Sequence, residues 1–171
     1  LRKNGKLLKI SKREDNFISL KEIQKEVGKN ALRYFMVSSK SETPMDFDMN
    51  KVVEKNKDNP VFYRQYAFAR ASSVIRKANL SKILPKIHQS IDQLSINYIS
   101  EYEWDIILKI LAWPYLLKQA AAFKQPHRIT NYLEDLCSNF HSFWNKGKDD
   151  ISLRLIDENN ISKTISKLIW L

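Results

Sequence analysis

Near the start of the chain, two lysines three residues apart flank a hydroxyl in a short basic run, Lys9-Ile10-Ser11-Lys12-Arg13. On a loop, such a run can fold over a polyphosphate. Its ammonium groups then offset charge developing on a leaving pyrophosphate, most strongly where water is excluded. The plain alternative is a solvated basic loop. A second set of residues suits nucleic acid: Tyr63, Tyr66 and Arg70, and further on Arg128, Tyr132, Asn139, Phe143 and Lys146. Unpaired bases stack on aromatic rings, while Arg and Lys meet phosphates. Against this, aromatic side chains dominate helical cores, so each ring also has a packing role open to it. Among these rings Phe143 is expected to point away from the core and offer a stacking face. The three histidines, His88, His127 and His141, lack metal-ligand spacing and read as structural or surface residues. Asp46 and Asp48 read as helix-capping and linker residues rather than as an acid/base pair.

The elements that must hold these residues are nearly all helical. After a possible strand at Lys6-Leu7-Leu8, Ser19 and Glu22 form a capping box, with Leu20, Ile23 and Val27 on one face and Gly28 as the stop. A second helix starts at Asn30, and the polar stretch from Ser38 to Asp48 connects onward. Asn59 caps a helix whose first residue is Pro60, where a missing N–H costs nothing. That helix is expected to reach about Lys77, and another covers Ser81 to Ile91. Ser100 and Glu103 make a second capping box, followed by Trp104, Ile107, Leu108 and Leu111 at core spacing, with a break or kink at Pro114. The clearest helix runs from Pro126 to about Lys146 and Gly147, its apolar stripe formed by Ile129, Leu133, Leu136, Cys137, Phe140 and Trp144.

With 171 residues, 43% of them hydrophobic, and only 3 Gly and 5 Pro, the chain can bury a core and is neither disordered nor a turn-rich β-fold. The net charge of +10 favours polyanionic partners, although a Lys-, Ile- and Asn-rich composition alone also raises basicity. One cysteine, Cys137, excludes an internal disulfide and a Cys-based zinc site, and a cytoplasmic location is expected. The most apolar stretch, Ile106 to Phe123, is interrupted by Lys109, Pro114 and Lys118 and does not read as a membrane span. Both ends read as cuts through a longer protein, and the last amphipathic segment is expected to lack a packing partner and to leave an exposed apolar patch.

Lys9 to Arg13 resembles the Lys-Met-Ser-Lys-Ser/Arg signature of class I aminoacyl-tRNA synthetases. The following Asn16 to Leu20 and Glu26 to Phe35 are similar to the helix pair that comes after that loop. Pro44-Met45-Asp46-Phe47-Asp48, Asn59 to Arg70, Pro126 to Leu133 and Phe140 to Asn145 resemble the arginyl enzymes in particular, in order along the chain. The resemblance implies an all-α fold: a helical-bundle anticodon-binding domain over 49–171, truncated at its C-terminus, preceded by the end of the class I catalytic domain over 1–48 with its short strand, loop and helix pair. It also implies catalytic roles for Lys9, Ser11 and Lys12, with Lys12 on the pyrophosphate of ATP and Mg2+ accompanying the nucleotide. Arginine tRNA is the implied partner, with arginine and ATP held by a catalytic domain that lies outside this sequence, so that the segment alone is expected to be inactive. Neither membrane nor DNA is expected as a partner. Ile10 in place of Met is a volume-conserving change. Asp15 in place of Gly brings a carboxylate near a phosphate site, Asn30 replaces a frequent Asp, and Phe68 a frequent His. The alternative is a free-standing tRNA-binding or protein-interaction helical module without catalysis.

Overall fold

The computed structural model describes residues 1–3, 5–7, 18–56, 58–80 and 96–171. The basic run with Lys9, Ser11 and Lys12, the helix expected over Ser81 to Ile91, and His88 lie outside the described residues. Packing divides the chain into two compact units, residues 1–65 with 115–134 and residues 66–114 with 135–171.

The first unit opens with a two-stranded antiparallel ribbon, β1 (Arg2–Lys3) and β2 (Lys6–Leu7), in which Arg2 faces Leu7 and Lys3 faces Lys6. Gly5, at φ 73°, supplies the left-handed conformation that the tight connection needs. Arg2 is held further by its backbone bonds to Phe47 and Met49 and by its Nε, 2.9 Å from a carboxylate oxygen of Asp46. Helix α1 (Leu20–Val27) starts at the expected capping box: Ser19 Oγ accepts from the Glu22 N–H, and Glu22 Oε2 accepts from the Ser19 N–H at 2.7 Å. Gly28, at φ 85°, ends it, and α2 (Lys29–Ser38) follows at once. Ile23, Val27, Ala31 and Leu32 close on Phe47, Met49 and Val52 as the core of this unit, while Leu20 is exposed.

Asn59 is buried and uses every polar group of its side chain. Nδ2 donates to the carbonyls of Val52 (3.0 Å) and Glu54 (2.6 Å), and Oδ1 accepts from the N–H groups of Val61 (3.0 Å) and Phe62 (3.4 Å). It therefore caps α3 (Pro60–Leu80), as read from the sequence, and ties it to the turn before it; α3 runs a turn beyond the expected end.

Helix α4 (Glu101–Ala122) begins at the Ser100–Glu103 box and continues through Pro114. The expected break does not occur. Proline deletes one N–H bond near the middle of a long helix, and both Pro114 and Ile110, whose carbonyl loses its partner, are exposed and open to water. The buried face of α4 also differs from expectation. Trp104, Leu108 and Leu111 are exposed (37%, 59% and 68%), whereas Glu103 and Ile106 are buried. The helix is apolar around most of its circumference, so spacing alone did not single out the inward face.

Helix α5 (His127–Asp149) passes Gly147 by two residues, and Asp150 then caps a short 3-10 turn, Ile151–Leu153, through the Ser152 N–H. Asn160 caps α6 (Ile161–Leu168) by accepting from the Lys163 N–H. The second unit's core brings together Ala67, Val74 and Ala78 of α3, Ile106 of α4, Phe140 and Phe143 of α5, Leu155, and Ile165 and Leu168 of α6. The C-terminal segment thus has packing partners. Residues Thr164 to Leu168 are all buried, and Trp170 meets Phe143 edge-on at 5.9 Å. Lys167 and Glu103, 1% and 0% exposed at their side chains, form an ion pair of 3.0 Å.

Removing one member of a buried pair strands the other charge. Lys167→Met is therefore expected to destabilise the chain by about 3–5 kcal/mol, and Glu103→Leu combined with Lys167→Met by much less than the separate effects added together; urea unfolding of the single and double variants measures this.

Candidate nucleic-acid interface

Tyr66 and Arg70 stand one turn apart on the part of α3 that belongs to the second unit. The Arg70 guanidinium lies 4.1 Å from the centre of the Tyr66 ring and 5.2 Å from that of Trp144 on α5. Its Nη2 donates to the Tyr66 hydroxyl at 3.1 Å, and its Nη1 lies 2.8 Å from His141 Nδ1. His141 is buried and stacks on Tyr66 with ring centres 5.7 Å apart, while Tyr66 itself is 45% exposed. Among the described residues no carboxylate pairs with Arg70. A half-buried cation with aromatic faces beside it and no carboxylate paired to it among those residues is suited to an anion or to the acceptor edge of a base.

Arg64, less than two turns earlier on α3 and in the first unit, shows the opposite arrangement. It pairs with Glu134 (3.2 Å), donates to the carbonyls of Pro60 and Thr130, and lies 4.6 Å from the Tyr34 ring centre. Its charge is spent inside the fold, tying α2, α3 and α5 together.

The other expected contacts divide between the units. In the second, the ammonium of Lys146 sits 4.3 Å over the Tyr102 ring, and Asn139 is half-buried. Phe143 departs from expectation: at 2% exposure it is a core residue with no face left for a base. The cause is α6, which packs on this side of α5 and widens the buried arc beyond a single stripe; Trp170 and Lys167 both lie against the Phe143 ring. In the first unit, Arg128 is exposed, donates to Gln125 Oε1 and lies 5.7 Å from the Phe123 ring centre. Tyr63 and Tyr132 are half-buried there, and burial pushes the Tyr132 hydroxyl above the ordinary tyrosine range. His127 is buried at the start of α5, as a packing residue would be. From the sequence, His141 reads as a structural or surface residue and Trp144 as a core residue; the signal that could promote them is their spacing of three on α5, which puts both rings within reach of one side chain on a neighbouring helix.

Among the described residues, no group of three His, Cys, Asp or Glu side chains converges as a metal site, and no helix is long and apolar enough to cross a membrane.

The sequence profile of the DALR anticodon binding domain matches residues 64–168. An arginine–tRNA ligase of Bartonella bacilliformis is 43% identical over 97% of this chain and 28% of its own length. One of Rhizobium etli is 40% identical over 98% of this chain and 29% of its own. Among solved structures, a chain of Campylobacter jejuni assigned as an arginyl-tRNA synthetase superposes with a TM-score of 0.75 at 25% identity, over 99% of this chain and 34% of that one. The chain thus spans somewhat more than a quarter of the length of these curated relatives.

The burial contrast on the two sides of the cluster is measurable. Phe143→Ala is expected to cost about 3–5 kcal/mol, as a buried ring does, whereas Tyr66→Ala should cost about 1–2 kcal/mol through its lost contacts with Arg70; thermal melts of the two variants test the difference.

Proposed function

Because the chain belongs to the DALR anticodon binding domain family, we propose that its helical part grips the anticodon region of arginine tRNA and that the whole protein is an arginine–tRNA ligase. The whole enzyme joins arginine to its tRNA through arginyl-adenylate, consuming ATP. Residues 1–48 form the end of its catalytic domain and residues 49–171 the tRNA-binding domain. The observation that carries the tRNA-binding role is Arg70, held between Tyr66 and Trp144 with no carboxylate among the described residues to neutralise it. It lies within the segment that the family profile covers.

In this reading Arg70 and Lys146 take phosphates or base edges, and Tyr66 offers a stacking face, with Tyr63, Arg128, Tyr132 and Asn139 as further contacts. Phe143 acts from the core, holding α5 in place. Lys9, Ser11 and Lys12 serve the adenylation step, with Lys12 on the pyrophosphate of ATP. Arginine and the adenosine part of ATP are bound by residues outside this sequence, and Mg2+ accompanies the nucleotide. The protein works in the cytoplasm.

The test is binding of the chain to arginine tRNA and to a non-cognate tRNA across a range of salt. A cognate preference that survives moderate salt is expected, with Arg70→Ala lowering cognate affinity about tenfold, as loss of a charge-assisted contact does. Equal and steeply salt-dependent binding to both tRNAs would reduce the role to non-specific attraction of RNA to a basic surface. The chain by itself is expected to show no arginine-dependent exchange of pyrophosphate into ATP.

A further inference from the structure

Building on the reading of Arg70 as a tRNA contact, we infer that His141 is a positioning residue, which aims the Arg70 guanidinium at the RNA through its Nδ1. A guanidinium has N–H donors and no acceptor, so the 2.8 Å contact between Arg70 Nη1 and His141 Nδ1 requires a lone pair on Nδ1. The imidazole is therefore neutral, with its proton on Nε2. The ring is in turn fixed. It is 5% exposed, stacks on Tyr66 at an interplanar angle of 27°, and lies 6.2 Å from Phe140, centre to centre. Tyr66 acts on the same guanidinium twice, with its ring face at 4.1 Å and its hydroxyl at 3.1 Å from Nη2.

His141 and Tyr66 thus take one N–H from each end of the fork and set its plane, and the other N–H groups have no acceptor among the described residues, which suits them to an outside one. An arginine side chain loses much rotamer freedom when it binds, and a fork already held in place loses less. His141 itself is buried and makes no contact with RNA; it acts through Arg70.

Two polar substitutions separate positioning from packing. In His141→Asn the amide oxygen can occupy the place of Nδ1 and still accept from Arg70. In His141→Gln, closer to histidine in size, the amide reaches the place of Nε2 and leaves Nη1 without its acceptor. Arginine-tRNA binding is expected to stay within about threefold of the parent for His141→Asn and to fall about tenfold for His141→Gln, the size of one such hydrogen bond. In an Arg70→Ala background, His141→Gln should change tRNA affinity no further, because the residue it serves is gone. Equal losses for Asn and Gln, a greater loss for Asn, or a full effect of His141→Gln in the Arg70→Ala background would overturn the positioning role. If Arg70→Ala alone leaves tRNA binding intact, the tRNA contact itself falls, an outcome distinct from the others. Thermal melts run alongside establish that each variant compared is folded.

Discussion

The second unit is organised around a charge pair that water does not reach. Lys167 Nζ meets Glu103 Oε2 at 3.0 Å, and the same carboxylate oxygen accepts from the backbone N–H and hydroxyl of Ser100. One buried oxygen thereby closes the N-terminus of α4 and anchors α6. Two charges are costly to bury, and their attraction offsets that cost only where geometry and further hydrogen bonds are good. The pair links the inward face of α4 to α6 through Oε2 alone; Glu103 Oε1 is buried without a hydrogen-bond partner among the described residues. With Lys167 drawn in, its neighbours Thr164, Ile165, Ser166 and Leu168 are buried too, and the Phe143 ring lies 5.8 Å from the ammonium.

Placing Phe143 in the core has a consequence for the cluster around Arg70. α5 is packed along a wide arc in its C-terminal half, with Phe140, His141, Phe143 and Gly147 all buried. What remains at the border of that arc is Trp144, half-buried and within 5.2 Å of the Arg70 guanidinium. A ring in that position can pack on one part of its surface and meet a cation on another, which is how a residue of a core stripe comes to border the Arg70 cluster.

The two arginines of α3 show how the same side chain type meets two different environments along one helix. Arg64 has a carboxylate and two carbonyls around it; Arg70 has an imidazole, a phenol and two aromatic faces. The first environment neutralises the charge; the second holds the guanidinium with no carboxylate paired to it among the described residues. A cation held in that way suits a polyanion, and the net charge of +10 adds attraction over a longer range.

Much of this was legible in the amino-acid sequence because it depends on near neighbours along the chain. The capping boxes at Ser19 and Ser100, the Asn59-Pro60 start of α3, the glycine stop at Gly28 and the all-helical character follow from hydrogen bonds reaching three or four residues and from helical periodicity. Tyr66 and Arg70, named from the sequence as separate candidates, meet for the same reason, being one turn apart. Three features depended instead on residues far apart in sequence: the exposure of Trp104, Leu108 and Leu111, the burial of Phe143, and the seating of the C-terminal helix. Glu103, paired with Lys167 64 residues away, lies inward on α4 where those three side chains do not, and the C-terminal segment covers Phe143 through Lys167 and Trp170. The partnership of Arg70 with His141, 71 residues away, is of the same kind. A spacing along one helix states which side chains share a face; which face is buried, and which cation keeps its charge unspent, is settled only where separate helices meet.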